Sequence, residues 1–222
     1  TAGHCVMDVG SVKHGPIAAM AETFGRDIPW VATHPLFGPS SIALGDRPLR
    51  AVVCPNDLHS EAVVRARALY ERLGCEVIEQ SADEHDQAMA RTHAVAFFVA
   101  KGLIDIGASE GLAFTPPSFK ALSQMIDTVR SDAGHLFLAI ERGNPFAAAA
   151  RRELLEALEL VHDRLGDPED PHTAEASAGL AIPDLGEQAP ELRQTRDLID
   201  ELDEELLGLL ARRMQIVIRA GG

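Results

Sequence analysis

"PLRAVVCPNDLHSEAVVRARALYERLGCEVIEQ", residues 48–80, runs through a strand pattern, a helix pattern and a second strand pattern in succession. Its outer runs, PLRAVVCP and CEVIEQ, are short, rich in β-branched residues and bounded by Pro or Gly, which marks buried strands. Between them Ala62, Val63, Ala66, Leu69 and Leu73 recur at three- and four-residue steps and form one apolar stripe. Asp57 is a candidate N-cap and Gly74 a stop. Such a strand–helix–strand unit predicts parallel α/β winding, because parallel neighbours need a crossover that carries the chain back.

The same alternation extends upstream. HCVMDV (4–9) and IPWVAT (28–33) read as strands, and GSVKHGPIAAMAETF (10–24) as a turn and a helix with Ile17, Met20, Ala21 and Phe24 on its apolar face. After Ser81 the strand pattern stops. Residues 82–107 read as one long, mostly apolar helix, and at least two more follow, with turn signals at 132–134 and 143–145. This half carries more apolar surface than a lone helical layer can hide, which predicts pairing with a second copy. Residues 166–189, rich in Pro, Gly, Ala and acids, read as a linker, and 190–222 as a long helix with Leu192, Ile199, Leu202, Leu206, Leu209, Leu210 and Ile216 in a stripe. The predicted fold class is α/β followed by all-α, ending in a separate long helix.

Bulk properties limit the function. With 20 basic and 34 acidic residues the 222-residue chain carries a formal charge of −14, which disfavours nucleic acid and anionic membranes as partners. No apolar run reaches the ~18 residues of a membrane span, and no signal peptide is visible, so the expected location is the cytoplasm. Cys5, Cys54 and Cys75 are odd in number and show no CxxC or Cys/His metal spacing. They read as free thiols of a reducing compartment, and no metal is expected. The chain opens on Thr1 and closes on IVIRAGG directly after a helical pattern, which reads as a fragment of a longer chain.

Four constellations can carry chemistry. DVGSVK (8–13) lies where a strand ends, the place where open α/β sheets bind ligands; Ser11 is either a ligand contact or an ordinary N-cap. In HPLFGP (34–39) the proline holds His34 extended at a strand exit, where an imidazole acts either as a general base or as a loop cap. His85 and His93 stand eight residues apart, about 80° around a helix, which is neither one stripe nor a metal pair. His93 alone reads as a core histidine. The fourth set is Lys101, Lys120, Arg130 and Arg142, cations for a carboxylate if any faces the ligand edge.

Taken in order, DVGSVK, THPLFGP, EHDQ…THAVAF and NPF resemble the prephenate/arogenate dehydrogenases over about residues 1–165. The resemblance implies that 1–81 is the C-terminal part of a Rossmann-type nucleotide-binding domain and 82–165 a helical dimerisation and substrate domain. Family members begin with a GxGxxG segment, which this sequence lacks. The implied activity is NAD- or NADP-dependent oxidative decarboxylation of prephenate to 4-hydroxyphenylpyruvate by a homodimer. The alternatives are arogenate as substrate, or a non-catalytic dimerising or regulatory module. By the same resemblance His34 is the catalytic histidine and Ser11 the serine that orients it. Gly10, Ser11 and Pro35 contact the cofactor, and His93 lies near the substrate. Where many relatives carry a carboxylate-gripping arginine this chain has Thr128, so Lys120 or Arg130 takes that role.

LRQTRDLIDELDEELLGLLARRM (192–214) resembles the first helix of the all-helical chorismate mutases. That likeness makes Arg196 and Arg213, seventeen residues apart, carboxylate-binding arginines, since a guanidinium meets a carboxylate bidentately. The combined expectation is a mutase–dehydrogenase fusion supplied as a piece, with little or no turnover on its own.

Overall fold

The structure is a computed structural model that describes residues 4–45, 47–108, 110–131, 134–166 and 190–220. The chain divides into two compact units, 1–163 and 164–222.

The first unit is built on four strands, β1 (Val6–Asp8), β2 (Trp30–Pro35), β3 (Arg50–Val53) and β4 (Glu76–Glu79), lying side by side in chain order. β1 and β2 are parallel, joined by α1 (His14–Phe24), and β3 and β4 are parallel, joined by α3 (Ser60–Arg72). The expected all-parallel sheet needs one correction, because β2 and β3 are antiparallel, with Thr33 opposite Val53 and Pro35 opposite Ala51. The reason lies in the connection. It carries only the short α2 (Pro39–Leu44), whose six residues span about 9 Å, too little to return the chain along a strand. The chain therefore turns back beside β2. Residues 36–49 had given no helix signal in the sequence.

Alternation along β2 and β3 builds a core on each face of the sheet. Val31, Ala51 and Val53 pack with Ala62, Ala66 and Tyr70 of α3, whereas Trp30, Ala32, Val52 and Cys54 pack with Met20 of α1. The α3 stripe is thus shifted from the sequence reading. Tyr70 is buried, Leu73 is 61% exposed, and the N-cap is His59 rather than Asp57. On α1, Ala21 is exposed while Ile17, Met20 and Phe24 pack inward. Gly74 ends α3 with φ +78°, a conformation that favours glycine.

The expected helix over 82–107 is broken into α4 (Ala82–Met89), a π-helical turn (Ala90–Ala94) and α5 (Val95–Asp105). Ser81 opens α4 with a capping box, its Oγ accepting from Glu84 N while the Glu84 carboxylate accepts from Ser81 N. After α6 (Lys120–Ser131) and α7 (Gly134–Gly143), α8 (Ala147–Gly166) begins, and Ala94, Phe97, Ile140 and Ala147 form the core of this helical part. Cys54 and Cys75 are buried, Cys5 is half-buried, and all three thiols are free. In the second unit α9 (Pro190–Ala220) is a continuous helix whose described side chains are exposed. Among the described residues no helix is long and apolar enough to cross a membrane.

Candidate active site

β1 leaves the sheet at Asp8, and the turn that follows is tied by its own carboxylate, whose Oδ1 accepts from Gly10 N at 3.0 Å. A Cβ at Gly10 would stand 3.1 Å from that oxygen, so the tight turn favours glycine. The helix begins two residues later than an N-cap at Ser11 would require. Lys13 is the N-cap of α1, and its side chain does not cap. The cap comes from another element: the Asp86 carboxylate of α4 accepts from Lys13 N at 2.9 Å and from His14 N at 3.1 Å. A buried anion thus sits at the positive end of α1.

Lys13 is fully buried. Its ammonium pairs with the Asp8 carboxylate and donates to the Thr33 carbonyl at 2.5 Å. Thr33 Oγ1 in turn donates to the Asp8 carbonyl at 2.6 Å and accepts from the Tyr70 hydroxyl at 2.8 Å. These bonds lock the exit of β1 to β2 one residue before His34.

His34 lies on the β2 face that carries Trp30 and Ala32, and its side chain is buried. Its Nδ1 is 2.9 Å from His85 Nε2, and His85 Nδ1 is 2.7 Å from Asp86 Oδ1. Burial, His85 and Lys13 together hold the His34 imidazole down to about 3, so the ring is neutral at physiological pH. Burial pushes the Asp86 carboxyl up, but hydrogen bonds from His85, His14 and the backbone of His14 and Lys13 outweigh it and bring it to about 2. His14, bonded to Asp86 and Asp83 at 2.7 Å each, is raised chiefly by the Asp86 contact. Asn144 completes the frame, its Nδ2 donating to the Asp86 carbonyl at 2.7 Å and its Oδ1 accepting from Phe146 N. The Asn of the NPF motif therefore secures the backbone of the residue whose carboxylate caps α1.

Ser11, Gly10 and Gly15 line a cavity of about 360 Å³ that continues onto Ile140 and Gly143 of α7. A Cβ at Gly15 would meet nothing within 4 Å, so this wall is backbone facing open space. Pro35 ends β2, half-buried. His93 is half-buried on the π-helical turn, its ring edge-on to Phe97 at 4.5 Å, and its charge is felt at His34. π-Helical turns cluster at functional sites because they redirect a side chain within a helix. Lys120 and Arg130 do not join the hydrogen-bonded cluster. Lys120 is exposed at the start of α6, and Arg130 pairs with Glu110 at 2.6 Å. Thr128 Oγ1 donates to the Gln124 carbonyl. Arg213 is exposed on α9, and the Arg196 side chain lies outside the described residues. Among the described residues no His, Cys, Asp and Glu group could hold a metal.

The sequence reading missed Lys13, His85, Asp86 and Asn144. Each sits inside a quoted motif, but their roles depend on contacts across 58 or more residues for Asn144 and Asp86.

No family model matches the chain. It is 25% identical over 173 residues to arogenate dehydrogenase 2, chloroplastic, of Arabidopsis thaliana, covering 72% of the chain and 46% of that protein. It is 30% identical over 160 residues to a 4-amino-4-deoxyprephenate dehydrogenase of Streptomyces pristinaespiralis, covering 68% and 52%. Its fold matches that of prephenate dehydrogenase from A. aeolicus, solved with hydroxyphenyl propionate and NAD+, at a TM-score of 0.58 and 17% identity, over 88% of this chain and 67% of that one. The chain thus spans about half the length of these two relatives.

Proposed function

The chain belongs with the prephenate and arogenate dehydrogenases, and from that premise we propose that it carries the proton-handling half of an NAD(P)-dependent dehydrogenase acting on a carboxylated cyclohexadienol. Prephenate is the substrate of first choice, with 4-hydroxyphenylpyruvate and CO2 as products, and arogenate is the alternative. The observation that carries this reading is a buried, neutral His34 at the exit of β2, beside the exit of β1.

NAD(P)+ supplies the hydride acceptor. The residues at the β1 exit fit its flat end: the turn at Gly10 and Ser11 and the bare backbone of Gly15 border a cavity that no side chain fills there, and Pro35 closes the neighbouring strand end. His34 takes up the proton of the ring hydroxyl as its carbon is oxidised. It returns that proton to the same oxygen as the ring carboxylate leaves as CO2 and the ring becomes aromatic. General-base help of this kind contributes about 10²–10⁴-fold. Ser11 orients His34 at the shared strand edge, and His93 borders the substrate from the π-helical turn. Lys120 or Arg130 meets a substrate carboxylate, the latter on releasing Glu110.

The helical part pairs as a homodimer, for which the exposed Leu155, Leu158 and Val161 of α8 supply apolar surface. We assign α9 to the start of a chorismate mutase module, with Arg196 and Arg213 as its carboxylate ligands. The domain plan is 1–81, 82–165, a linker over 166–189, and 190–222.

The test is reduction of NAD+ or NADP+ by the enzyme that contains this chain, offered prephenate or arogenate. Turnover that falls about 10²–10⁴-fold in His34→Asn, with KM little changed, supports the assignment. Absence of turnover with both substrates rejects it.

A further inference from the structure

Asp86 is fully buried and ionised, and an ionised carboxylate only accepts hydrogen bonds. His85 Nδ1, 2.7 Å from Asp86 Oδ1, must therefore carry a proton and donate it. In a neutral His85 that leaves Nε2 as a lone pair. His34 Nδ1, 2.9 Å from this Nε2, is then the donor in its turn. The chain of donors leaves His34 with its proton on Nδ1 and a lone pair on Nε2. This is the opposite of the tautomer a free histidine favours in water, which would present an N–H where a base is needed.

We propose that His85, held by Asp86, is a positioning residue that fixes His34 in the Nδ1–H tautomer and receives that proton when His34 Nε2 takes one from substrate. The proposal rests on the reading of His34 as the general base. The step balances without any oxidant. The substrate O–H bond breaks as His34 Nε2–H forms, and the His34 Nδ1–H bond breaks as His85 Nε2–H forms. The positive charge comes to rest on the ring that touches the Asp86 carboxylate. Aromatisation reverses both transfers and returns the proton to the substrate oxygen.

The surroundings explain why the charge should move. His34 is buried, and Lys13 and His93 both oppose a positive charge on it. His85 is as deeply buried but has the carboxylate at hydrogen-bond distance, where an imidazolium is stabilised. The titratable groups around the pair are Asp8, Lys13 and His14 at the β1 exit and α1 start, Cys54 after β3, Asp83 and Asp86 on α4, and His93 on the π-helical turn. Lys13 is matched by Asp8, and His14 is shared between Asp83 and Asp86. Asp86 is itself fixed by two backbone N–H groups and by Asn144, so His85 cannot reorient without losing its partner.

The test is long-range ¹H–¹⁵N correlation NMR on this chain with ¹⁵N-labelled histidine. In the wild type at neutral pH, His34 is expected as Nδ1–H with an unprotonated Nε2. On acidification, the first proton taken up by the pair should appear at His85 Nε2, with His34 Nδ1 becoming the unprotonated nitrogen. Folded His85→Phe should return His34 to Nε2–H. Finding His34 as Nε2–H in the neutral wild type, or as the doubly protonated ring beside an unchanged His85, overturns the proposal. Because the wild-type spectrum alone decides, a His85→Phe variant that does not fold leaves the test intact. In the active enzyme, His85→Gln should lower kcat by roughly 10- to 100-fold and move the acid limb of the pH profile, with KM changed less than about twofold. An unaltered acid limb also overturns it. Loss of turnover in the wild type with the expected tautomer rejects the dehydrogenase reading instead, so the two failures are separable.

Discussion

Asp86 accepts a hydrogen bond from the backbone N–H of Lys13 at 2.9 Å, across 73 residues of sequence. One carboxylate thereby caps α1, holds His85 and pairs with the His14 ring, so its removal strips the α1 backbone and two imidazoles of a shared acceptor. Replacing Asp86 with Ala should destabilise the chain by about 3 kcal/mol or more, read from urea denaturation, because buried donors are left without a partner. Asn, which keeps an acceptor oxygen, should cost less. An Ala variant as stable as the wild type would contradict the capping role.

The same carboxylate makes a prediction for acid. Its folded value, about 2, lies below the ordinary 3.8, so its contribution is complete above about pH 4 and is lost as pH falls toward 2. The magnitude is on the order of 2 kcal/mol. Stability measured against pH should fall through this window in the wild type, and the fall should be shallower in Asp86→Asn.

His34 acts at higher pH. Burial lowers it from 6.5 to about 3, so the unfolded chain binds a proton that the folded ring refuses. Stability is therefore full above about pH 6.5 and declines as pH drops toward 3, by up to an order of 4 kcal/mol. His34→Asn removes the titrating ring and should flatten the decline between pH 6.5 and 4. An equally steep decline in the variant would show that another group carries it.

These contacts mark the boundary of what the sequence discloses. Gly74, the four strands and the position of His34 at a strand end are local matters, set by backbone conformation and short apolar runs, and they were legible. The direction of β3 was not, because strand patterns look alike in either direction and only the short span of α2 decides. His85 was compared with His93 by counting along one regular helix, and the π-helical turn at Ala90–Ala94 interrupts that count. Lysine as a residue type is almost always at the surface, so nothing local marks Lys13 as buried. Only the meeting of Asp8 and the Thr33 carbonyl makes its burial tolerable. Polar networks of this kind join residues distant in sequence, so no window along the chain contains them.

Oligomerisation gives a separate test of the helical part. Leu155, Leu158 and Val161 follow one another at three-residue steps on α8 and are 45%, 53% and 38% exposed. Analytical ultracentrifugation should find a dimer at micromolar concentration, and Leu158→Glu should shift it to monomer while the circular dichroism stays unchanged. A wild type that sediments as a monomer throughout would remove α8 from any dimer contact.

Lys13 offers the sharpest energetic prediction, because its ammonium is fully buried and its partner Asp8 nearly so. Lys13→Met removes the counter-charge of Asp8 and the donor to the Thr33 carbonyl together. It should cost about 3–5 kcal/mol, as for other broken buried pairs. Asp8→Asn alone should also destabilise, since the ammonium then loses its anion. The double variant removes both charges and should be less destabilised than the sum of the two single changes, giving a coupling of about 1–3 kcal/mol in a double-mutant cycle. The consequence for catalysis follows from position: Thr33 precedes His34, and the Lys13 bond fixes its carbonyl. Lys13→Met should therefore lower kcat in the active enzyme even at temperatures where it remains folded. Strict additivity in the cycle, with kcat unchanged, would mean that the ion pair neither locks the strand exits together nor positions the histidine.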